Sequence, residues 1–379
     1  MILFFHNTAT EYRVPLFRKV CQKIDVLFVF TRMDVAEKVY ATKRDDSRLI
    51  GIKYKIITRR SIRQVFQIWN LIKQTNVSGV VVPTLDSLEE LLQAFLIYFI
   101  AKKEKKYIFS YLGHWDAPDK YKVFSQRIKD GIRNFFTKMI ANDSNVIFVY
   151  GIKTKEYLQK FTIDEAKIQI IYNVSEMPEY TIYDDIRKKF HIGKEKRIIL
   201  YFGRIIKRKG LDVLLKAYAE LDIDTKKKVH LLICGEGEFE EECKVLADSL
   251  DIENITWVGN VHPDRRYEYF NQCDIYVLPS YFYHGKSEAW GLTINEAIQC
   301  GKAVIGTTAV GAAYELINEN NGRMVKANSV EELRNAIENL VTSNIYELAI
   351  QEDYKICKKY NYENSANLLC DILKKYDNC

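Results

Sequence analysis

Ile198-Ile199-Leu200-Tyr201-Phe202-Gly203-Arg204, continuing through Ile205-Ile206-Lys207-Arg208-Lys209-Gly210 to Leu211, has the shape of one βα unit. An apolar run ends in a glycine that lets the backbone turn tightly, a cationic loop follows, and an amphipathic pattern starts at Leu211. On the C-terminal side the alternation continues as strand 197–203, helix 211–221, strand 229–234, helix 238–249, strand 255–258, helix 264–272, strand 274–279, helix 291–300 and strand 302–306. On the N-terminal side, strands are predicted at 1–5, 25–30, 54–58, 79–82, 106–112, 146–149 and 168–171, with helices between most of them. Strands alternating with helices along the chain predict an α/β fold of parallel sheets covered by helices.

The chain has 379 residues, more than the roughly 250–300 at which single cores stop growing, so two doubly wound domains are expected. The periodicity lapses at Asn173-Val174-Ser175-Glu176-Met177-Pro178-Glu179, where a linker is predicted. The expected division is 1–175, 176–345 and a helical tail, 346–379, that packs back on the first domain.

Hydrophobic residues make up 47% of the chain, which argues for packed cores and against disorder. The eight cysteines are scattered without the spacing of a zinc site or a disulfide framework, so reduced thiols and no bound metal are expected. Met1-Ile2-Leu3-Phe4-Phe5-His6-Asn7 lacks the basic region and apolar length of an export signal. The apolar stretch Ala94-Phe95-Leu96-Ile97-Tyr98-Phe99-Ile100-Ala101 is far below the roughly 18–20 residues of a spanning helix. Both features predict a cytoplasmic protein. Charge is uneven: residues 1–175 carry 29 Lys+Arg against 17 Asp+Glu, and the remaining 204 carry 27 against 33. The basic first half favours an anionic partner.

Two loops carry the candidate chemistry. In the first, the cations before Leu211 stand at a helix N-terminus, whose amides and dipole favour an anion. Arg204 offers a fork of donors and Lys209 a point charge. The second follows Asp274-Ile275-Tyr276-Val277-Leu278-Pro279 and reads Ser287-Glu288-Ala289-Trp290-Gly291-Leu292-Thr293-Ile294-Asn295-Glu296. Gly291 opens a helix at the same carboxyl edge of the sheet. Glu288 lies in the loop and Glu296 more than a turn into the helix, a placement that suits two carboxylates accepting from different diols of one ligand.

Gly203-Arg204, Lys209-Gly210, Glu288 and Glu296 with seven residues between the glutamates, Cys300-Gly301-Lys302-Ala303-Val304-Ile305-Gly306, Val310-Gly311 and Asn321-Gly322 together resemble the donor-binding half of glycosyltransferase family 4. The match spans roughly residues 197–327. The resemblance implies the GT-B fold, two Rossmann-like domains facing across a cleft. It implies that Arg204 and Lys209 hold the donor diphosphate, that Glu288 contacts the transferred sugar, that the amides near Gly291 and Leu292 approach sugar and phosphate, and that Glu296 binds the ribose. Gly235 and the loop Val258-Gly259-Asn260-Val261 match the place where the base rests, and His114 matches a family histidine near the sugar and β-phosphate. Glu288, His114, Arg204 and Lys209 are thus the catalytic candidates. In the first domain the likeness is weaker: where the family often has a Gly-Gly loop, this chain reads His6-Asn7-Thr8-Ala9-Thr10-Glu11-Tyr12-Arg13-Val14-Pro15.

Three other motifs lead elsewhere. Gly285-Lys286-Ser287 lacks the first glycine of a P-loop, and Glu240 stands at the third glycine position of a dinucleotide fingerprint starting at Gly235. Asp222-Ile223-Asp224 follows a helix and reads as a turn rather than a metal site. A helix predicted from Lys120 to Ala141 mixes Val123, Phe124, Ile128, Ile132, Phe135, Phe136 and Met139 with Lys120, Lys122, Arg127, Lys129, Arg133 and Lys138. Its apolar residues have two destinations, its own sheet or an anionic membrane interface.

The resemblance implies a retaining, metal-independent glycosyltransferase of the bacterial surface-polysaccharide type, lipopolysaccharide or capsule, with a UDP- or GDP-sugar as substrate and no cofactor. The expected acceptor is a glycan or lipid-linked saccharide, with peripheral attachment to the inner face of the cell membrane. A nucleotide-sugar 2-epimerase and a non-catalytic nucleotide-sugar-binding assembly protein are the alternatives. Nucleic acid is not an expected partner, because the basic half has no reading motif.

Overall fold

The computed structural model describes residues 1–33, 46–57, 62–83, 88–177, 184–343 and 345–377. They form two units: Met1–Trp115 with Phe124–Val174 and Tyr360–Cys379, and Asp116–Val123 with Ser175–Lys359.

Among the described residues of the first unit, seven parallel strands form one sheet in the order β3-β2-β1-β4-β5-β6-β7. They are β1 Ile2–His6, β2 Val26–Phe30, β3 Tyr54–Ile56, β4 Gly79–Val82, β5 Tyr107–Leu112, β6 Val146–Val149 and β7 Ile168–Ile170. The strands β1, β4 and β6 are buried at every position, as interior strands covered on both faces require. Helices α1 Val14–Lys23, α2 Ile62–Ile72, α3 Leu88–Lys103, α4 Phe124–Asp143 and α5 Ile152–Gln159 connect them.

The second sheet has the order β10-β9-β8-β11-β12-β13. Its strands are β8 Arg197–Phe202, β9 Val229–Cys234, β10 Ile255–Gly259, β11 Ile275–Leu278, β12 Ala303–Thr307 and β13 Gly322–Val325. Before, between and after them lie α6 Ile186–Lys189, α7 Leu211–Ala219, α8 Ile223–Lys228, α9 Glu240–Ser249, α10 Arg266–Gln272, α11 Leu292–Gln299, α12 Ala313–Leu316, α13 Val330–Thr342 and α14 Ile345–Lys359. The core on one face joins Leu211, Leu214 and Leu215 of α7 to Ile199, Leu231 and Ile275 of the strands and Leu333 and Ile337 of α13. Order reverses between β8 and β11, the switch point beside which open α/β sheets bind ligands.

Three boundaries differ from expectation. The tail returns to the first unit only from Tyr360, where α15 Tyr362–Lys374 packs on α1; α14 stays with the second unit against α11. Buried Asp353 explains the anchoring of α14, because it accepts a 2.9 Å hydrogen bond from Asn321. Residues 116–123 leave the first unit for the second, where the Tyr121 ring stacks on Phe282 and its carbonyl accepts from the Gly285 amide. The helix predicted from Lys120 therefore starts at Phe124, after a separate 3-10 turn at Asp119–Tyr121. At the linker, Pro178 and Glu179 lie outside the described residues.

Candidate functional site

The loops after β8 and β11 leave adjacent strands, and the chain laces them together. The Tyr281 amide donates to the Arg208 carbonyl at 3.0 Å. Gly210 adopts φ +73°, and a Cβ there would lie 2.1 Å from the Pro279 carbonyl oxygen, so only glycine lets the loops approach this closely. Lys207–Lys209 form one 3-10 turn before α7.

That turn sets two cations on one carboxylate. The Lys209 ammonium and the Arg208 guanidinium each stand 2.7 Å from Oε2 of Glu288, and Arg208 Nη1 also donates to the Ser287 carbonyl at 3.2 Å. Burial alone would raise the Glu288 carboxyl, but the charges of Lys209 and Arg208 outweigh it and hold it down at about 2. Burial lowers Lys209; Glu288 opposes that shift, while Arg208 and the nearby Arg204 add to it. Arg204 is exposed, and its guanidinium has no partner among the described residues. Two cations therefore hold one carboxylate, and the charge of Arg204 reaches Lys209 beside them, so positive charge is in excess at the switch point.

The Glu288 backbone is fixed as tightly as its side chain. Its amide donates to the Ala309 carbonyl and its carbonyl accepts from the Gly311 amide, while the Ala312 amide donates to the Trp290 carbonyl. Trp290 Nε1 in turn donates to Asn295 Oδ1 at 2.8 Å, tying the loop to α11. Gly291, at φ +93°, begins that helix, whose first amides at Leu292 and Thr293 have no intrahelical acceptor.

Glu296 lies one turn further along α11, with its side chain only 5% exposed. Its partner is Arg266 of α10, whose Nε lies 3.0 Å from Oε1. Burial pushes Glu296 up to about 7, a rise that the Arg266 charge only partly offsets. At the base candidates, the Gly235 amide donates to the Gly259 carbonyl at 2.8 Å, and the Asn260 amide donates to Glu236 Oε1 at 3.1 Å. Val258, Gly259 and Val261 are half-buried beside exposed Asn260.

In the first unit, His114 Nε2 accepts from Arg133 Nη1 at 2.9 Å, and the same Nη1 lies 2.8 Å from Asp130 Oδ1. A guanidinium only donates, so this bond puts the imidazole proton on Nδ1. The structure thus brings together Arg204, Lys209 and Glu288 and gives Glu296 its own cation, while His114 belongs to the other unit.

Neither Arg208 nor Arg266 stands out in the sequence as a site residue. Arg208 is one of three successive cations, and only the turn it occupies tells which of them reaches the glutamate. Arg266 meets Glu296 across two helices, a contact that no local pattern carries.

Residues 183–364 match the family model of glycosyl transferases group 1. An uncharacterized glycosyltransferase of Methanocaldococcus jannaschii is 27% identical over 293 residues, 76% of this chain and 72% of the relative. A Campylobacter jejuni N-acetylgalactosamine-N,N'-diacetylbacillosaminyl-diphospho-undecaprenol 4-alpha-N-acetylgalactosaminyltransferase is 26% identical over 210 residues, 54% of this chain and 50% of the relative. Among solved structures, Anabaena HepE in complex with UDP superimposes with a TM-score of 0.75 at 14% identity, covering 99% of each chain.

Proposed function

We propose that this chain is a glycosyltransferase of the GT-B superfamily, a reading its family-model match and its relatives support, and that it moves a sugar from a UDP- or GDP-sugar to a hydroxyl of a glycan or lipid-linked saccharide during surface-polysaccharide synthesis. The observation that carries this reading is the pair Arg208 and Lys209 on Glu288 at the switch point, with the charge of Arg204 close to Lys209. An excess of positive charge beside a helix N-terminus is complementary to a diphosphate.

In this reading the bond from the anomeric carbon to the diphosphate breaks and negative charge develops on the leaving group. Arg204 and Lys209 stabilise that charge in the role a divalent cation plays elsewhere. The acceptor oxygen bonds to the anomeric carbon on the same face, and its proton passes to the departing phosphate, so configuration is retained. Glu288, immobilised by Arg208 and Lys209, positions the sugar; His114 has the same task; Glu296 accepts from the ribose hydroxyls. Gly235 and residues Val258 to Val261 bound the base. UDP is the nucleotide bound by the Anabaena structure, and the Campylobacter relative is named for a diphospho-undecaprenol acceptor. Both support a nucleotide-sugar donor and a lipid-linked acceptor here, with the protein working at the cytoplasmic face of a membrane.

The test is release of UDP or GDP from a nucleotide-sugar panel, with and without saccharide acceptors. Arg204→Ala and Glu288→Ala should each abolish transfer; near-wild-type turnover in either sinks the assignment. Acceptor-independent conversion of the donor to an epimer would replace it with the epimerase reading.

A further inference from the structure

Helix α4 buries its polar side and turns an apolar arc outward. Gln126, Asp130 and Thr137 are buried, while Phe124, Ile128, Ile132 and Phe135 are exposed. At about 100° per residue, Gln126, Asp130, Arg133 and Thr137 fall within one arc of about 60°. Within that face Asp130 and Arg133 form an ion pair, their side chains only 6% and 13% exposed. A buried ion pair is a poor source of stability, because packed apolar side chains of the same volume do as well or better. A polar face kept in spite of that has its task in what it touches.

It touches His114, two residues past the end of β5. Arg133 Nη1 lies 2.8 Å from Asp130 Oδ1 and 2.9 Å from His114 Nε2, and its two protons serve both acceptors. The Asp130 oxygen is itself fixed, accepting from Gln126 Nε2 at 2.8 Å. The next residue of α4 reaches the same ring through Tyr157 of α5. Asn134 Oδ1 accepts from the Tyr157 hydroxyl at 2.7 Å, and the Tyr157 ring stands at 89° to the imidazole with centroids 5.2 Å apart. The backbone just before His114 is held as well, because Thr154 Oγ1 donates to the Gly113 carbonyl at 3.2 Å. All of these residues belong to the first unit.

The ring is thereby fixed in place and in tautomer, since the nitrogen that carries the proton is set by the bond the other nitrogen makes. With Nε2 accepting from Arg133, the proton sits on Nδ1 and the ring donates there. The ligand atom it meets must then bring a lone pair, as a sugar hydroxyl or a phosphate oxygen does. We infer that Arg133, aimed by Asp130, and Tyr157, aimed by Asn134, are positioning residues that hold His114 as a hydrogen-bond donor through Nδ1. The inference rests on the sugar-positioning role proposed for His114, but the tautomer is read without turnover.

The full chain, carrying isotope-labelled histidine, gives the tautomer in long-range proton–nitrogen correlation spectra, the His114 signals being those lost in His114→Gln. Wild type should carry the proton on Nδ1. Arg133→Met removes the donor to Nε2 but strands the Asp130 carboxylate, so Asp130→Asn/Arg133→Met, which removes the stranded charge, is measured beside it. Both should let the proton move to Nε2 and lower kcat by about ten- to hundredfold. Donor KM should stay nearly unchanged, the pattern of an interaction realised in the transition state. Asp130→Asn alone keeps an oxygen for Arg133 and should retain the wild-type tautomer and most of the turnover. In a His114→Gln background, Arg133→Met should cost no further turnover, because its effect runs through the ring. A loss of equal size in both backgrounds would reduce Arg133 to a structural part and overturn the inference. So would a wild-type proton on Nε2, or a tautomer unmoved in both Arg133 variants. The expected tautomer change without nucleotide release from any nucleotide-sugar would instead overturn the functional reading and leave the hold of Arg133 on His114 standing.

Discussion

The Lys209 ammonium stands 2.7 Å from Oε2 of Glu288, the same oxygen that Arg208 holds at 2.7 Å. The carboxylate is thus shared by two cations and the cations are in excess. Removing the carboxylate leaves like charges facing one another in a largely buried site, whereas removing Lys209 leaves a matched pair. Glu288→Ala should therefore destabilise the fold more than Lys209→Ala, by about 3–5 kcal/mol. If a diphosphate is the natural counter-charge, saturating UDP or GDP should raise the melting temperature of Glu288→Ala more than that of wild type. Differential scanning calorimetry with and without nucleotide reads both effects, and the reverse order of stabilities would refute the charge accounting.

The backbone at Gly291 holds the loop for which those charges are arranged. With φ at +93°, an added Cβ would lie 2.6 Å from Val310 Cγ1 and 2.8 Å from Leu278 Cδ2. Gly291→Ala combines the left-handed penalty of about 1–2 kcal/mol with overpacking of about 1–3 kcal/mol. The melting temperature should fall, and donor KM should rise because the Leu292 amide is displaced. An unchanged KM in a folded variant would show that the start of α11 does not contact donor.

Burial sets the pH behaviour of Glu296. Its carboxyl, ordinarily near 4.5, sits at about 7 in the folded chain. A folded value above the unfolded one means that the native state holds the proton more tightly, so stability is full below about 4.5 and declines as pH rises to about 7. A carboxylate that accepts from ribose hydroxyls must be ionised to accept from both, so donor KM should improve as pH rises through about 7. Glu296→Gln should flatten that profile. Arg266→Gln removes the partly compensating charge and should move the midpoint upward. Initial rates across about pH 5.5–8.5 decide it; a profile unchanged in Glu296→Gln would remove Glu296 from the donor site.

Much of this architecture is legible in the residues. Val229–Cys234 and Val146–Val149 are short apolar runs bounded by polar segments, and buried parallel strands have that appearance. The last strand, Gly322–Val325, escapes such reading because Gly-Arg-Met-Val carries neither a run nor an alternation; it becomes a strand by pairing with β12. Arg204, Lys209, Glu288 and Glu296 stand out by spacing, whereas Arg208 and Arg266 depend on turn and tertiary geometry. The apolar arc of α4 is visible in sequence, but amphipathicity alone does not say which face meets the sheet. Gln126, Asp130 and Thr137 settle that only once their burial is known.

Asp353 tests how α14 is held to the second unit. Its side chain is buried, Oδ1 accepts from Asn321 Nδ2 at 2.9 Å, and Oδ2 has no partner among the described residues. Asn321 also donates to the Leu316 carbonyl and accepts from the Asn318 amide, so one buried amide ties the turn before β13 to α14. Burial pushes the Asp353 carboxyl up to about 8, against an ordinary value of 3.8, and the Asn321 hydrogen bond offsets only part of that rise. The folded value again exceeds the unfolded one, so the native state loses stability as pH climbs from about 4 to about 8, beyond which the loss is complete. Asp353→Asn keeps an oxygen to accept from Asn321 and removes the buried charge. Its melting temperature should exceed that of wild type by a margin that widens with pH and levels off above about 8. Asp353→Ala abandons the Asn321 amide and should melt lower than Asp353→Asn at every pH. Because Glu296 contributes in the same direction, the pH slope of Asp353→Asn should shrink without vanishing. A slope identical to wild type would show that Asp353 is ionised in the folded chain throughout this range.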